Sequence, residues 1–204
     1  MLFTYDIVLV DEAREGVNGK LERWRYTLES RGFRISRLKT EYLHCCFSRR
    51  EDEKGEVTID GMVIPNVEKF KYLGSIIHQK GDIDEDINQR IKVGWKKQKY
   101  ASGVLCDKRM PVGLKGKVYR TVVRPAVLYG SECWLIKKTQ VQRFMAAELR
   151  MIRWMCGYTR VDRISNGVIR DLVKVAPIGD KMRETRLRWF DHVKRRCGRS
   201  SEEM

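Results

Sequence analysis

Apolar residues at positions 2–10 are interrupted near Asp6, and this pattern predicts a strand–turn–strand hairpin with Asp6 at its tip. A carboxylate on a rigid tip is a typical ligand for Mg²⁺, although a buried strand ending in a turn aspartate fits the same pattern. A helical stripe follows, formed by Val17, Leu21, Trp24 and Leu28. Gly32 comes just after it, where a left-handed C-cap is expected. A helix that packs back on the hairpin's sheet predicts an α+β layer.

Three further segments up to residue 81 have strand character. Residues 39–47 predict a strand with Leu43, Cys45 and Phe47 on one face. Residues 57–64 predict a short hairpin, because Asp-Gly at positions 60–61 supplies the positive φ angles of a type I′ turn. Residues 70–78 read as a buried strand when taken alone.

From Asp82 onward the pattern is helical. A first helix begins with acidic residues and ends with lysines, which complements the helix dipole, and its apolar face is formed by Ile83, Ile87, Ile91 and Trp95. A second helix is expected to kink or break at Pro125, with a buried face formed by Val118, Val122, Ala126 and Tyr129.

A third helix has the clearest periodicity in the chain. Thr139 and Gln142 fit a capping box at its start, and Gly157 marks its end. Its apolar stripe is formed by Val141, Phe144, Met145, Leu149, Ile152 and Met155, and its aromatic residues and methionines are expected in the core. A short helix over 168–173 and a basic helix from about Asp180 complete the pattern; the last is expected to be anchored by Met182, Trp189, Phe190 and Val193.

The charge balance narrows the possible partners. The 204 residues include 42 Lys and Arg against 27 Asp and Glu, a formal net charge of +15. Such a surplus attracts polyanions and favours nucleic acid, with a merely soluble basic protein or an anionic-membrane binder as alternatives. No apolar run approaches the roughly 20 residues of a membrane span, and the N-terminus lacks a signal peptide's basic start.

The six cysteines indicate neither a disulfide framework nor a zinc finger, because no pair has the required spacing. We expect them to be reduced and mostly buried thiols of an intracellular protein.

Residues 2–11 resemble the Phe-Ala-Asp-Asp-Ile-Val-Leu catalytic hairpin of reverse transcriptases from LINE-type (non-LTR) retrotransposons. The resemblance continues in order through residues 32–42 (Gly-Phe-Arg-Ile-Ser-Arg-Leu-Lys-Thr-Glu-Tyr), 70–75 (Phe-Lys-Tyr-Leu-Gly-Ser), 123–134 (Val-Arg-Pro-Ala-Val-Leu-Tyr-Gly-Ser-Glu-Cys-Trp) and 188–193 (Arg-Trp-Phe-Asp-His-Val). The resemblance implies that this chain corresponds to the C-terminal part of such a polymerase. Residues 1–81 would be a palm remnant with a catalytic hairpin and a primer-grip-like hairpin, and residues 82–204 a helical thumb and connection region.

The resemblance also implies roles for individual residues. Asp6 would be a catalytic metal ligand, and Lys39 would lie near the incoming triphosphate as a general acid, with a solvated lysine at a strand start as the alternative. Nucleic-acid contacts would be made by Lys71, Tyr72 and Gly74 in the primer grip, by Lys92, Lys96, Lys97 and Lys99 in the first thumb helix, and by Arg186, Arg188, Lys194, Arg195 and Arg196 in the last helix.

Tyr5 stands where the family has the first aspartate of its Asp-Asp pair, and a neutral phenol does not replace that carboxylate. The chain is therefore expected to be a degenerate RNA-directed DNA polymerase fragment that lacks fingers and upstream palm and is inactive alone. No cofactor is expected for it, although the parent family uses Mg²⁺. We expect it to bind RNA or DNA, such as a template–primer duplex, and to be located in the nucleus.

The alternative is a non-catalytic, transposon-derived module. Such a module would bind a protein partner or a second copy of itself. A third possibility is polymerase activity by complementation with an intact polymerase copy.

Overall fold

The computed structural model describes residues 7–45, 55–159 and 161–199, with side chains described as far as Arg195. The chain divides into two compact units, Met1–Asp82 and Ile83–Met204. In the described residues the first unit combines a helix with antiparallel strands, and the regular elements of the second are all helical. These elements confirm the α+β class. No helix in the described ranges is long and apolar enough to span a membrane.

The first unit contains one helix and two hairpins in its described residues. Its elements are α1 (Arg14–Glu29), β1 (Thr58–Ile59), β2 (Met62–Val63), β3 (Lys69–Tyr72) and β4 (Ser75–His78). Strand β1 pairs antiparallel with β2, and β3 pairs antiparallel with β4. The two pairs form separate two-stranded sheets.

Both hairpins turn through two consecutive residues with positive φ. Asp60 and Gly61 have φ angles of 53° and 73°, and Leu73 and Gly74 have 48° and 82°. Positive φ at both central residues is the geometry of a type I′ turn, whose twist matches that of the flanking strands. The Asp-Gly hairpin is thus confirmed, and residues 70–78 form a hairpin rather than the single strand that they suggest when read alone.

A small apolar core joins α1 to the first hairpin. Its buried residues are Leu21, Val57, Ile59 and Ile64. The helical stripe places Trp24 on the same face, but Trp24 is exposed, because the two-residue strands are too short to cover the whole stripe. The predicted helix end is confirmed: Gly32 has a φ of 80°, and the Phe33 N–H donates to the Leu28 carbonyl at 2.9 Å.

Two predicted strands differ from the structure. Residues 7–10 form no strand, and Ile7, Val8 and Val10 are exposed; Asp6 and the first half of that hairpin lie outside the described residues. The described part of segment 39–47 makes only an isolated bridge between Tyr42 and Asn66. Apolar, β-branched residues form a strand only when a neighbouring strand pairs with them along its length, and neither segment forms a continuous ladder in the described residues.

The second unit is built from helices around a single core. Its elements are α2 (Asp84–Tyr100), α3 (Ser102–Leu105), α4 (Val112–Val118), a π-helical turn (Tyr119–Val123), α5 (Arg124–Leu128), a 3₁₀ turn (Ser131–Cys133), α6 (Lys138–Cys156), α7 (Asn166–Val173) and α8 (Ile178–Arg199). Helix α6 contacts α2, α3, α4, α7 and α8. It is therefore the central element of the unit.

The apolar faces predicted for α2 and α6 are confirmed. Ile87 on α2 and Phe144 and Ile152 on α6 are fully buried in one cluster. Gly157 ends α6 with a φ of 74°. The N-terminal cap differs from the prediction, because the Lys137 N–H donates to Gln140 Oε1 at 2.8 Å and the helix begins before Thr139.

The segment around Pro125 is interrupted, as predicted, but it buries a different face. Proline lacks the N–H that would continue the helical bonds, and a π-helical turn precedes it. Tyr119, Val123 and Val127 are buried, whereas Val122 and Tyr129 are exposed. The buried residues are thus each displaced by one position from the predicted Val118, Val122 and Ala126.

The last helix is anchored less extensively than predicted. Met182 is buried, but Trp189, Phe190 and Val193 are exposed and border an open groove of about 680 Å³.

The described cysteines also differ from expectation. They are free thiols, with Cys106 and Cys133 exposed and Cys45 and Cys156 half-buried, so they are less buried than predicted.

Candidate nucleic-acid interface

The C-terminal half of α2 carries a cluster of cations without acidic neighbours in sequence. No Asp or Glu occurs between residues 87 and 106. The four predicted lysines are all exposed: Lys92, Lys96, Lys97 and Lys99. Within the described part of the chain, none of the four takes part in an ion pair, and Lys96 Nζ lies 5.9 Å from the centroid of the Tyr100 ring. This half of the helix presents positive charge directly to solvent.

The acidic start of α2 is engaged within the protein. Asp84 Oδ1 accepts from Arg143 at 2.5 Å, and Arg143 also donates to Asn88 Oδ1 at 2.5 Å. Asp86 is buried beside Arg90, with a separation of 3.7 Å between Oδ1 and Nε. The charges of Asp84 and Asp86 are therefore compensated inside the helical unit, while the lysines at the other end remain available to an external anion.

The basic residues of α8 are partly neutralised along their own helix. Arg188 pairs with Glu184 and Arg195 with Asp191, each four residues earlier. Arg186 and Lys194 are exposed, and the side chain of Arg196 lies outside the described residues. Arg188 and Arg195 thus differ from the four α2 lysines, which form no ion pair in the described residues.

The three residues predicted for a primer grip lie in the β3–β4 hairpin. Lys71 is exposed and pairs in register with Ile76, and Tyr72 is half-buried opposite Ser75. Gly74 occupies a turn position with positive φ, so the turn itself accounts for glycine there. The hairpin places one cation and one aromatic ring on adjacent residues of the same strand.

The described residues do not fit a magnesium site. They contain no group of three or more His, Cys, Asp or Glu residues able to hold a metal ion. Asp11, near the predicted hairpin, accepts from Lys20 at 2.7 Å, and this hydrogen bond lowers the pKa of the Asp11 carboxyl. Asp6 lies outside the described residues. Lys39 is an exposed residue in a turn, and its N–H donates to the Ser36 carbonyl at 3.1 Å.

A buried carboxylate in α6 is absent from the sequence-based predictions. Glu148 is 1% exposed, and its Oε1 accepts from Arg124 at 2.8 Å while its Oε2 accepts from Arg170 at 2.6 Å and from the Ile178 N–H at 2.9 Å. Burial raises the pKa of the adjacent Tyr119 hydroxyl, which lies 3.3 Å from Oε1. The sequence signal for this buried carboxylate is the position of Glu148, a charged residue that lies among the apolar residues of the α6 stripe. We interpret this cluster as structural, because it joins four helical segments and its carboxylate is closed to solvent.

One residue at the edge of α6 differs from the sequence-based predictions, and a second is absent from them. The aromatic residues of this helix are expected in the core, yet Trp154 is 39% exposed and lies against Trp95 of α2. Arg150, one turn earlier on α6, is exposed and was not a candidate contact residue. Neither residue belongs to the apolar stripe of α6. Their positions outside the stripe are the sequence signal that both side chains are exposed.

Comparison with known proteins gives two distant similarities. The chain is 25% identical over 140 residues to an uncharacterised transposon-derived protein of Caenorhabditis elegans, covering 65% of this chain and 49% of that protein. It is 21% identical over 183 residues to the RNA-directed DNA polymerase from mobile element jockey of Drosophila melanogaster, covering 89% of this chain and 20% of that polymerase.

The chain thus spans about half or less of the length of these curated relatives. No family model matches it, and no solved structure matches it. The two similarities support an origin of this chain in a retrotransposon-encoded protein.

Proposed function

We propose that this chain corresponds to the palm end and thumb of a LINE-type reverse transcriptase and binds RNA or DNA through α2. The observation that carries the proposal is the exposed lysine cluster on the acid-free half of that helix. Lysines that face solvent bind phosphates without reading bases, so the expected target is a template–primer-like duplex of any sequence. A nuclear location is part of the same proposal.

We propose further that the chain does not polymerise DNA by itself. Tyr5 replaces a carboxylate that the resemblance assigns to metal binding, and two-metal catalysis needs several oxygen ligands around ions about 4 Å apart. Purified protein should therefore give no primer extension with Mg²⁺ or Mn²⁺ while shifting the same primer–template on a gel. Extension by the wild-type chain would contradict this part of the proposal.

Neutralising the α2 lysines should weaken binding and reduce its dependence on salt. The variant replaces Lys92, Lys96, Lys97 and Lys99 by glutamine. For every phosphate that the variant no longer neutralises, the slope of log K against log salt should become shallower by about 0.9 for duplex DNA. Fluorescence anisotropy with a labelled duplex at several salt concentrations measures the affinity and the slope.

A control with the same change in net charge separates a local surface from overall charge. It replaces four exposed basic residues elsewhere by glutamine: Arg31, Arg34, Lys108 and Lys117. The control should retain most of the wild-type slope. Equal reductions in both variants would show that net charge, rather than the α2 surface, drives binding, and salt-independent binding by the wild type would contradict the electrostatic basis altogether.

A second candidate function is a non-catalytic interaction module. The observation that favours it is the apolar surface on α8, where Leu187 is 63% and Phe190 65% exposed. A surface of this kind is covered when a protein partner or a second copy binds. Sedimentation at several protein concentrations tests self-association, and a monomer at all of them would count against the self-associating form.

A further inference from the structure

An aromatic corner is formed where the end of α2 meets α6. The rings of Trp95 and Trp154 meet edge to face, with centroids 6.3 Å apart and an interplanar angle of 82°. Beside them, the buried Gln98 side chain donates from Nε2 to the Met151 carbonyl at 2.7 Å. This hydrogen bond fixes the two helices relative to each other within one turn of each tryptophan. The corner is therefore preorganised, and the Trp154 side chain is 39% exposed to solvent.

Cations surround this corner. Lys92 and Lys99 lie three residues before and four residues after Trp95, and Arg150 lies four residues before Trp154. Residues at these spacings are neighbours on a helix surface. All three cations are exposed, and none of them forms an ion pair in the part of the chain that the structure describes. No acidic residue occurs in residues 149–156 or 87–106.

We infer that this corner binds single-stranded RNA or DNA by stacking an unpaired base on Trp154. Lys92, Lys99 and Arg150 would hold the flanking phosphates. The inference rests on the proposed nucleic-acid-binding function and adds a stacking site for an unpaired base beside the lysines that bind phosphates. Exposed aromatic rings combined with a positive surface are the elements by which proteins bind single strands without sequence preference.

The geometry favours a single strand over a duplex at this position. In a duplex the faces of the bases are already stacked on one another, so a tryptophan ring gains a stacking partner only from an unpaired base. The Trp95 ring meets the Trp154 ring at 82°, and Trp154 remains 39% exposed, so part of its side chain is left for the ligand. A duplex would instead interact with the surrounding cations alone.

The test compares the full-length chain with three tryptophan variants, using a labelled oligothymidylate of about 15 nucleotides and a labelled duplex as probes. Trp154→Leu removes the stacking ring but keeps an apolar side chain, and Trp154→Phe keeps an aromatic face. Trp24→Leu is the matched control, because Trp24 is exposed to a similar extent on α1. Circular dichroism melting confirms that each variant is folded.

Trp154→Leu should bind the single strand about tenfold more weakly, which corresponds to the free energy of stacking one base. Its affinity for the duplex should stay within about twofold, and its salt slope for both probes should be unchanged because no charge is altered. Trp154→Phe should retain most single-strand binding. Wild-type tryptophan fluorescence should be quenched by the oligothymidylate, and the quenching should be smaller in Trp154→Leu than in Trp24→Leu.

Unchanged single-strand affinity in Trp154→Leu, or an equal weakening for single strand and duplex, would overturn the stacking site. If binding remains salt-dependent in that case, the proposed function stands and this inference alone fails. If the wild-type chain binds neither probe, both fail.

Discussion

Replacing Glu148 by glutamine should destabilise the protein by about 3–5 kcal/mol, because breaking a buried ion pair leaves an uncompensated charge in the core. Glu148 is 1% exposed, and two guanidinium groups share its carboxylate. A glutamine amide keeps one acceptor but presents an NH₂ group to a cation. Neither Arg124 nor Arg170 has another carboxylate partner in the described residues.

The substitution should also affect how the helices are connected. Glu148 Oε2 accepts the Ile178 N–H at the first residue of α8, and Arg124 also donates to the Ala176 carbonyl. The carboxylate thus ties α6 to the start of α8 and to α5. Denaturant unfolding followed by far-ultraviolet circular dichroism measures the change in the free energy of unfolding.

Glu184→Gln is the matched control. Glu184 on α8 also bridges two cations, Lys181 at 2.6 Å and Arg188, but its side chain is 38% exposed. Exposed pairs contribute about 0–1 kcal/mol, so this variant should unfold close to the wild type. Similar stabilities for Glu148→Gln and Glu184→Gln would contradict the buried cluster.

A triple variant tests whether the unpaired charge is the cause. Replacing Glu148, Arg124 and Arg170 together by leucine or methionine removes both cations with the carboxylate. Apolar replacement of a whole buried cluster is often neutral or stabilising. The triple variant should therefore be more stable than Glu148→Gln, although it leaves the Ile178 N–H and the Tyr119 hydroxyl without their acceptor and removes the donor to the Ala176 carbonyl. A triple variant less stable than the single one would contradict this explanation.

The elements that the sequence predicts correctly depend on local chemistry. The apolar stripes of α2 and α6 repeat at the helical period, and the Asp60-Gly61 turn follows from two residues that accept positive φ. The strand predictions for segments 7–10 and 39–45 are wrong because a strand depends on a partner elsewhere in the chain, which the pattern of one segment does not contain.

The candidate interface is predictable to a similar extent. The exposed α2 lysines can be predicted because they are clustered in the sequence. The structure adds that Asp84 and Asp86, at the start of the same helix, contact Arg143 and Arg90. The role of Glu148 cannot be read from the sequence, because its partners Arg124 and Arg170 are 24 and 22 residues away and are brought to it only by packing. The prediction for Trp154 is wrong because its residue type suggests core, whereas its position on the helix decides its exposure.

The second large effect is expected at Gly116, where α4 approaches the backbone of α7. A Cβ atom added at Gly116 would lie 1.8 Å from the Val173 carbonyl oxygen and 2.8 Å from its carbonyl carbon. These are backbone atoms, so no side-chain rotation relieves the overlap and the two helices must separate. Gly116→Ala should therefore destabilise the protein by about 1–3 kcal/mol, the usual cost of overpacking a core.

Gly113→Ala gives the opposite expectation within the same helix. A Cβ atom there meets nothing within 4 Å, and alanine is favoured over glycine in a helix by about 1 kcal/mol. Thermal melts of the full chain should show a lower midpoint for Gly116→Ala and an unchanged or higher one for Gly113→Ala. Because helix propensity alone would raise both midpoints, a decrease only at Gly116 isolates the contact with α7. Two increases would show that the helices do not approach this closely in solution.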